Sequence, residues 1–384
     1  MTLTQMPARS IVRSIAHAAE RWTDADYPPR VRVLDRIAER TGYCIPAVEF
    51  ALDRLFESIT EDAIVATIED ELGSLETLDR FVPRKGRPDA HAAPLGDVCI
   101  ISSRTTIGVA VPPAIFALCA KCNVLVKDRE DSLVTSFFET LYQEDDVFYS
   151  AAKAQVWESS HENSRELQGF DAVVVFGTAE TLASVRNALR PEARFIGFGP
   201  RISAGYVARE ALGDPGGARE LARLAARDIV LYETEGCLSL HLLFVESGGA
   251  VGVDEFSTIL DAQIERAGVE FPRARAAASN AARAAQTLLM ERFRGNSLVS
   301  VTPRHADVIA VDQPDEAADY LRRHAIQLEG LAVAAQRDDL LQLATGAGAV
   351  RITNFGELQS PPLQGHHGGR ARIADFIRWI DKAP

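Results

Sequence analysis

The chain has few features of a secreted, membrane-spanning or nucleic-acid-binding protein. Its 384 residues contain only five cysteines, an odd number of scattered residues, which excludes a disulfide framework. The longest apolar stretch, residues 107–120, is too short to cross a bilayer, and the N-terminal segment lacks the apolar core of a signal peptide. The net charge of −13, without a dense Lys/Arg run, would repel a phosphate backbone. We therefore expect a cytoplasmic protein without a membrane span or a nucleic-acid partner.

The sequence also lacks complete motifs for a metal or a dinucleotide. Gly197-Phe-Gly199 is too short for the glycine-rich dinucleotide fingerprint. Cys119 and Cys122 have the spacing of a redox or zinc motif, but no second pair accompanies them. The pair His366-His367 stands in a Gly/Pro-rich loop without other ligand-type residues nearby. We expect no metal site.

Short apolar runs alternate with amphipathic segments from about residue 95 onward. The clearest run is "DAVVVFG", residues 171–177, and similar runs occupy 97–102, 124–127 and 194–199. Continuous β-branched runs ended by glycine are typical of buried parallel strands. Helices are expected between these strands, among them one from Pro112 to about Cys122, with Asn123 as the candidate left-handed residue that closes it, and one capped by Thr178. The Ala/Arg-rich stretch 273–292 is predicted to form another helix. The pattern predicts an α/β fold with a doubly wound parallel sheet.

The rest of the chain divides around this sheet. The first 80 residues read as helices, residues 82–95 as a connection, and the alternation resumes after residue 203 up to about 350. The Gly/Pro-rich stretch 354–369 is long for a loop in a compact domain. We predict an N-terminal helical and dinucleotide-binding domain (1–203), an α/β catalytic domain (204–350) and a C-terminal arm (351–384). The arm is expected to pack on the first domain or on a partner subunit.

Cys237 stands apart from the other cysteines. It follows Gly236 after a polar run and opens the apolar run 238–245, so a turn delivers its thiol to the start of a strand. Such a thiol is nucleophilic if backbone N–H groups and a cation lower its pKa, or it is a small apolar residue. His241 is in phase with it on the strand, but their Cα atoms would be about 13 Å apart.

Lys127 and Gly177 are candidate cofactor-binding residues. Lys127 ends a buried strand and is followed by Arg129 and Glu130, at the edge of the sheet where ligands of open α/β sheets bind. Gly177 ends the next strand, and Thr178 begins a helix whose N-terminal N–H groups suit a phosphate. The alternatives are a solvated charge at a strand end for Lys127 and a simple strand stop for Gly177.

These residues together resemble the aldehyde dehydrogenase superfamily. "CNVLVKDRE" is similar to the segment whose lysine and glutamate hold the adenosine ribose, "FGTAET" to the strand-end glycine motif beside the nicotinamide, and "EGCLS" to the nucleophile turn. The similarity is greatest to the LuxC-like fatty acyl-CoA reductases of bacterial luminescence. That branch shares "GCLS", "RFIGFGPRISAGYVAREALGD" and "VRITNFGELQSPPL" with this chain. The resemblance covers about residues 95–384.

Two departures from the superfamily pattern bear on the chemistry. The glutamate that activates water in hydrolytic members has no counterpart around residues 196–199. Acylating members lack it too, because a thiol takes the acyl group. The asparagine that stabilises the oxyanion is also missing, and its place falls at or near Arg104 in "SSRTTIG". Arg104 is the candidate oxyanion donor, and a neighbouring threonine is the alternative.

The resemblance implies that Cys237 forms a thioester acyl-enzyme, which a reduced nicotinamide converts to an aldehyde. Arg129 suits the 2′-phosphate of NADP(H), the cofactor that we expect, whereas Glu130 suits the free ribose hydroxyl of NAD(H), the alternative.

The expected partners are an acyl-CoA or carrier-bound acyl thioester, further copies of the chain in a homo-oligomer, and an acyl-transfer protein. A non-catalytic subunit that binds a partner enzyme or acyl carrier is the second hypothesis. A hydrolytic aldehyde dehydrogenase is the third.

Overall fold

The computed structural model describes residues 2–103, 106–156, 166–273, 303–335 and 337–383. The chain forms two compact units. Unit 1 contains residues 1–37, 48–199 and 362–384, and unit 2 contains 38–47 and 200–361. The divisions at 199/200 and 361/362 differ from the predicted boundaries at 203 and 350, and unit 2 also takes in a short N-terminal segment.

The N-terminal region is helical, as predicted. Four helices follow one another: α1 (Ala8–Arg21), α2 (Pro28–Thr41), α3 (Ile45–Glu57) and α4 (Glu61–Leu72). The buried face of α1 contains Ile11, Val12 and Ile15 at helical spacing. The Thr60 hydroxyl accepts a hydrogen bond from the Ala63 amide and thereby caps α4.

A five-stranded, all-parallel sheet forms the centre of unit 1, with the strand order β5-β4-β3-β6-β7. The helices of this sheet lie between its strands in the chain and complete the doubly wound α/β pattern. The strands are β3 (Asp97–Ile101), β4 (Asn123–Lys127), β5 (Ala152–Gln155), β6 (Ala172–Phe176) and β7 (Arg194–Phe198). The helices are α5 (Val111–Cys119), α6 (Leu133–Glu144), α7 (Val147–Ala151) and α8 (Ala179–Ala188).

The structure corrects the predicted end of α5. We expected Asn123 to close this helix in the left-handed conformation. The left-handed residue is Lys121, with φ of 63°, and Asn123 already belongs to β4. The amides of Lys121 and Cys122 donate to the carbonyls of Leu118 and Ala117 at 2.8 and 3.0 Å, so the helix ends in a Schellman motif with Lys121 as its left-handed residue.

Residues 82–95 are two strands and not the predicted connection. β1 (Val82–Arg84) and β2 (Arg87–Pro94) form an antiparallel sheet with β13 (Ile377–Lys382), in the order β1-β2-β13. The prediction was wrong because β2 pairs along its length with β13, which comes from the other end of the chain, and local sequence patterns do not show such a pairing.

A second five-stranded parallel sheet forms the centre of unit 2, with the order β10-β9-β8-β11-β12. Its central strand β8 is buried at every position. The strands are β8 (Ile202–Val207), β9 (Leu240–Glu246), β10 (Asp307–Val311), β11 (Leu328–Val333) and β12 (Arg351–Thr353). The helices are α9 (Pro215–Val230), α10 (Val253–Glu270), α11 (Pro314–Arg323) and α12 (Asp338–Gly346).

The C-terminal segment is fixed to unit 1 by backbone hydrogen bonds. The Glu71 carboxylate of α4 accepts from the amides of Arg372, Ile373 and Ala374 at 2.6, 2.9 and 3.0 Å. The Arg372 guanidinium donates in turn to the carbonyls of Gly365 and Pro362. In the described part of the chain, no helix is both long and apolar enough to cross a membrane.

Asp228, near the end of α9, joins this helix to the segment that follows β12. Its Oδ2 accepts from the backbone amide of Gly356 at 2.7 Å, and the side-chain amide of Gln359 donates to its backbone carbonyl at 3.2 Å. Asp228 is fully buried, and burial raises its pKa from 3.8 to about 7. A proton is therefore held more tightly by the folded protein than by the unfolded chain.

We predict that Asp228→Asn stabilises the protein above neutral pH. Since the folded pKa is raised, the free energy of unfolding of the wild type falls as pH increases from about 4 to about 7. Asparagine keeps the acceptor for Gly356 but has no proton to lose. Its Tm should exceed that of the wild type by roughly 5 °C at pH 8 and equal it near pH 4. The exposed Asp254→Asn is the control, and a Tm difference that does not depend on pH would contradict the prediction.

Candidate active site

Cys237 follows a strained turn in unit 2. Tyr232, Glu233 and Thr234 have φ angles of 56°, 55° and 61°, so three consecutive residues with a Cβ adopt the left-handed conformation. Each such residue costs about 1–2 kcal/mol. Strain of this kind persists only where surrounding contacts enforce it, and it is concentrated at functional sites.

Arg304 holds this turn. Its guanidinium donates to the Glu233 carboxylate at 2.9 Å and to the Phe271 carbonyl at 2.7 Å. The Thr234 hydroxyl accepts from the Arg304 amide at 3.0 Å and donates to the Ile229 carbonyl at 2.7 Å. The turn is therefore fixed from both sides before the chain reaches Cys237.

Ser203 joins the Cys237 turn to two strands. Its hydroxyl donates to the Cys237 carbonyl at 2.8 Å and accepts from the Gly330 amide of β11 at 3.1 Å. The register of β8 shifts at this point against both neighbours, between Ser203 and Ala204 towards β9 and between Leu328 and Gly330 towards β11. Both irregularities therefore lie at the start of β8, the strand that separates β9 from β11.

Three charged residues surround the thiol at this edge of the sheet. Glu329 lies in the β11 irregularity, and Arg201, just before β8, has its Nε 3.9 Å from the Glu329 carboxylate. Arg351 begins β12 and pairs with Gly330 of β11. Its guanidinium lies close to Gly330, since a Cβ added to that glycine would be 3.8 Å from it. Because the strands are parallel, all these residues share the edge formed by the amino ends of the strands.

The environment keeps the thiol protonated. Burial, and next to it the negative charge of Glu329, raise the pKa of Cys237 to about 12, against the opposing effects of Arg201 and Arg351. Burial also raises the pKa of Glu329 and lowers that of Arg351. Cys237 is nevertheless partly exposed, whereas Cys99, Cys119 and Cys122 are buried. The thiol therefore needs a proton acceptor to become a nucleophile.

His241 does not provide that acceptor. Its Nδ1 lies 2.7 Å from the Ser239 carbonyl and shares a hydrogen bond with it. The ring is almost completely buried, and burial lowers its pKa to about 4. The charged groups that act on the thiol are Glu329, Arg201 and Arg351.

The opposite edge of the unit 2 sheet is occupied by ion pairs. Glu246, at the carboxyl end of β9, accepts from Arg337 at 2.9 Å and from the backbone amide of Arg209 at 2.8 Å. The Tyr206 hydroxyl donates to the same carboxylate at 3.2 Å. Ligands of α/β sheets usually bind at this edge, but here side chains fill it.

In unit 1, the structure brings the predicted cofactor residues to one sheet edge. Lys127 ends β4 and is buried, and Arg129 is partly exposed two residues later. The Ser102 hydroxyl donates to the Lys127 carbonyl and accepts from the Arg129 amide, at 3.0 and 2.9 Å. Gly177 follows β6, so it lies at the carboxyl edge of the same parallel sheet.

Glu130 points into the protein. Its carboxylate accepts from the amides of Gly108 and Ala110, at 2.5 and 3.3 Å, just before α5 begins. Only 1% of the residue is exposed. The carboxylate thus occupies the positive end of the α5 dipole, where an anion is favoured.

Gly177 and Thr178 form a tight strand-to-helix turn. A Cβ on Gly177 would lie 3.0 Å from the Thr181 side chain, so the backbone approaches α8 closely. The Thr178 hydroxyl accepts from the Thr181 amide at 3.3 Å, which confirms that Thr178 caps α8.

Aromatic rings occupy the segment 196–199, where the resemblance would put the water-activating glutamate. Phe198, the last residue of β7, stacks on Phe176 at 4.8 Å and on the His367 ring at 4.5 Å between ring centres. Burial lowers the pKa of His367 to about 3, so its ring is neutral. Together with Pro113 and Phe116, the Phe198 and His367 side chains line a small cavity in unit 1.

Arg104, the predicted oxyanion donor, lies outside the described residues, as does most of the helix expected over 273–292. Within the described residues, no three His, Cys, Asp or Glu side chains are grouped to hold a metal ion.

Sequence reasoning missed Ser203, Glu329, Arg201 and Arg351. A signal for three of them exists: each is the one charged residue at the start of an apolar run, in "PRIS", "LEGLAV" and "VRIT". A charge next to a buried strand is rarely placed without a partner. Only the strand order shows that these three charges meet.

The fold is similar to that of aldehyde dehydrogenases. A NAD-dependent benzaldehyde dehydrogenase from Corynebacterium glutamicum is 15% identical, with a TM-score of 0.72 over 98% of this chain and 86% of that one. A 1-pyrroline-5-carboxylate dehydrogenase from Thermus, solved with bound NAD, is 12% identical, with a TM-score of 0.66 over 98% and 82%. Aldehyde dehydrogenase 21 from Physcomitrella patens is 9% identical, with a TM-score of 0.67 over 98% and 86%.

The sequence matches one family. Residues 3–295, well over half of the 384 residues, match the family model of the LuxC acyl-CoA reductases. No curated protein matches the chain significantly. The chain has an aldehyde dehydrogenase-like α/β fold and belongs to the LuxC acyl-CoA reductase family.

Proposed function

We propose that the protein reduces an acyl thioester to an aldehyde by way of an acyl-enzyme on Cys237. The observation that carries this proposal is the partly exposed thiol, set on a strained turn beside Glu329, Arg201 and Arg351. The family match supports the acyl-CoA reductase class. The substrate is an acyl-CoA or a carrier-bound acyl thioester.

The chain's own groups bind and activate the acyl carbon. The Cys237 sulfur attacks the thioester carbonyl, the carrier thiol leaves, and the acyl group remains on the enzyme as a thioester. The tetrahedral oxyanion needs donors, for which we propose the Cys237 amide and Arg104; a single donor contributes about 2.7–4 kcal/mol. A bound nicotinamide dinucleotide supplies the hydride that reduces the acyl-enzyme.

Several residues at the unit 1 sheet edge fit such a dinucleotide. The Lys127 ammonium suits the ribose hydroxyls, and the start of α8 at Gly177 and Thr178 suits a phosphate. Glu130 does not fit a ribose hydroxyl, since both its oxygens accept from backbone amides. Arg129 is partly exposed and suits a 2′-phosphate. These observations favour NADP(H), although two structural relatives are NAD-dependent or bind NAD.

The aromatic stack at Phe198 supports thioester transfer over hydrolysis. A hydrolytic aldehyde dehydrogenase needs a carboxylate that activates water, and Phe198 with His367 fills its place in unit 1. Neither ring can accept a proton readily, because Phe198 has no acceptor and the pKa of His367 is about 3. These two residues therefore offer no base that would activate water for hydrolysis.

The high pKa of Cys237 is the observation that favours the second candidate, a non-catalytic subunit. In that function the chain would bind a partner enzyme or an acyl carrier, and the thiol would be inert. Assembly into a homo-oligomer and contact with an acyl-transfer protein fit either candidate.

We predict that Cys237→Ala abolishes aldehyde formation and leaves dinucleotide binding within about twofold, because only the covalent step is lost. Intact mass after incubation with octanoyl-CoA measures the acyl adduct, and the absorbance of NADPH measures turnover. Cys44→Ala is the matched control, since Cys44 is the other partly exposed cysteine. Turnover in Cys237→Ala would end the covalent mechanism. A wild type without adduct or turnover on short, medium and long acyl-CoAs would support the non-catalytic function.

We predict that Lys127→Met weakens dinucleotide binding tenfold to a hundredfold. A hydrogen bond to a charged group contributes about 1.5–3 kcal/mol, and methionine keeps the stem but removes the donors. Fluorescence titration gives the Kd. Lys153→Met on the neighbouring strand is the control, because Lys153 is exposed. Acylation of Cys237 needs no dinucleotide and should continue at the wild-type rate. An unchanged Kd would identify Lys127 as a simple strand-end charge.

We predict that Arg129→Gln separates the two dinucleotides. If its guanidinium pairs with the 2′-phosphate, the Kd for NADPH should increase about tenfold or more, because a charge-assisted contact is lost. The Kd for NADH, which lacks that phosphate, should remain within about twofold and serves as the internal control. Equal effects on both Kd values would place Arg129 elsewhere.

A further inference from the structure

Glu329 is a charged residue within an otherwise apolar strand. The register of β11 against β8 shifts between Leu328 and Gly330, so Glu329 is the extra residue of the irregularity. An extra residue of this kind redirects its side chain and is common beside active sites. The next residue, Gly330, donates to the Ser203 hydroxyl that also holds the Cys237 carbonyl. The backbone next to Glu329 is thus tied to the backbone of Cys237 through one hydroxyl group.

The position of Glu329 is suited to proton exchange. Its side chain is 16% exposed and therefore accessible to a bound substrate and largely shielded from bulk water. Arg201 and Arg351 favour the ionised carboxylate, while burial has the larger effect and raises its pKa. A carboxylate with a raised pKa is a stronger base than one in water, and bases work best with a pKa near the operating pH.

We propose that Glu329 is the proton carrier of the acyl-transfer step. This inference rests on the proposed function and deepens it. The Glu329 carboxylate accepts the proton of the Cys237 S–H group as the sulfur attacks the thioester carbonyl. The tetrahedral intermediate then expels the carrier sulfur, which takes the proton from Glu329 and leaves as a free thiol. One C–S bond forms and one breaks, Glu329 returns to the carboxylate, and no oxidant or metal is needed.

The test compares Glu329→Gln and Glu329→Asp with the wild type in the full-length protein. Octanoyl-CoA is mixed with the enzyme without dinucleotide, and the rate of acylation is measured by rapid quench and intact mass. Glu329→Gln should acylate about a hundredfold more slowly, the usual effect of losing a general base, and Glu329→Asp should recover part of the rate. Glu210→Gln, at the opposite end of the same sheet, is the control and should acylate at the wild-type rate.

Alkylation of Cys237 by iodoacetamide tests the first half of the step. The sulfur must lose its proton to be alkylated, but no leaving-group proton is needed, so Glu329→Gln should slow alkylation and slow acylation more strongly. A purely electrostatic role would accelerate both reactions, because the carboxylate raises the pKa of the thiol. A structural role would slow both reactions to the same extent, and Glu329→Asp would not recover them. Acylation slowed more than alkylation supports a proton carrier, and faster alkylation would contradict it.

An aryl thioester of octanoic acid tests the second half of the step. Its thiol is acidic enough to leave as a thiolate without a proton. The factor by which Glu329→Gln acylates more slowly than the wild type should therefore be at least tenfold smaller with the aryl thioester than with octanoyl-CoA. An undiminished deficit would overturn the role of Glu329 in protonating the leaving group. If Glu329→Gln does not fold, judged by its Tm, Glu329→Asp decides through its acylation rate and the pH profile of that rate. A wild-type rate and profile would refute the inference.

The failure of this inference can be told from failure of the proposed function. A wild type that forms no acyl-enzyme with any acyl-CoA refutes both. A wild type that forms it, with Glu329→Gln equally fast, refutes the inference alone and leaves Cys237 as the nucleophile.

Discussion

The hydrogen bonds of one hydroxyl, that of Ser203, organise the surroundings of Cys237 in unit 2. It donates to the Cys237 carbonyl and accepts from the Gly330 amide, so it joins the nucleophile turn to β11 across the central strand. The register shifts at this point would otherwise leave buried backbone groups without partners, at a cost of about 1–3 kcal/mol each. The same shifts bring Glu329 to the thiol, so the backbone irregularity and the chemistry have a common origin.

The two parallel sheets differ in the edge that carries the functional residues. In unit 1 the candidate dinucleotide residues follow the carboxyl ends of β4 and β6, the usual position in α/β folds. In unit 2 that edge is closed by the Glu246–Arg337 ion pair, and the thiol stands at the amino ends of the strands. The candidate catalytic groups of unit 2 thus lie at the edge opposite this ion pair.

Local patterns predicted most of the elements. Three features were identified correctly: the β-branched run 171–177, the apolar run 124–127 and the helix cap at Thr178. Burial on both faces selects consecutive apolar residues, and helix capping selects a hydroxyl side chain, so both can be read from residues adjacent in the chain. The antiparallel strands in 82–95 were missed, and the end of α5 was misplaced. The first depends on a partner far away in the chain, since β13 pairs with β2. The second depends on the hydrogen bonds that the amides of Lys121 and Cys122 make back to α5.

The sequence by itself determined the α/β alternation, the thiol after Gly236 and the lysine at the end of β4, since each follows from residues adjacent in the chain. Only the tertiary structure decided which charges meet. Glu329 and Arg351 are distant in sequence from Cys237 and become its neighbours through the strand order β9-β8-β11-β12. It also decided that Glu130 turns to the amides before α5. Side-chain direction at a sheet edge depends on the packing of elements that no local pattern encodes.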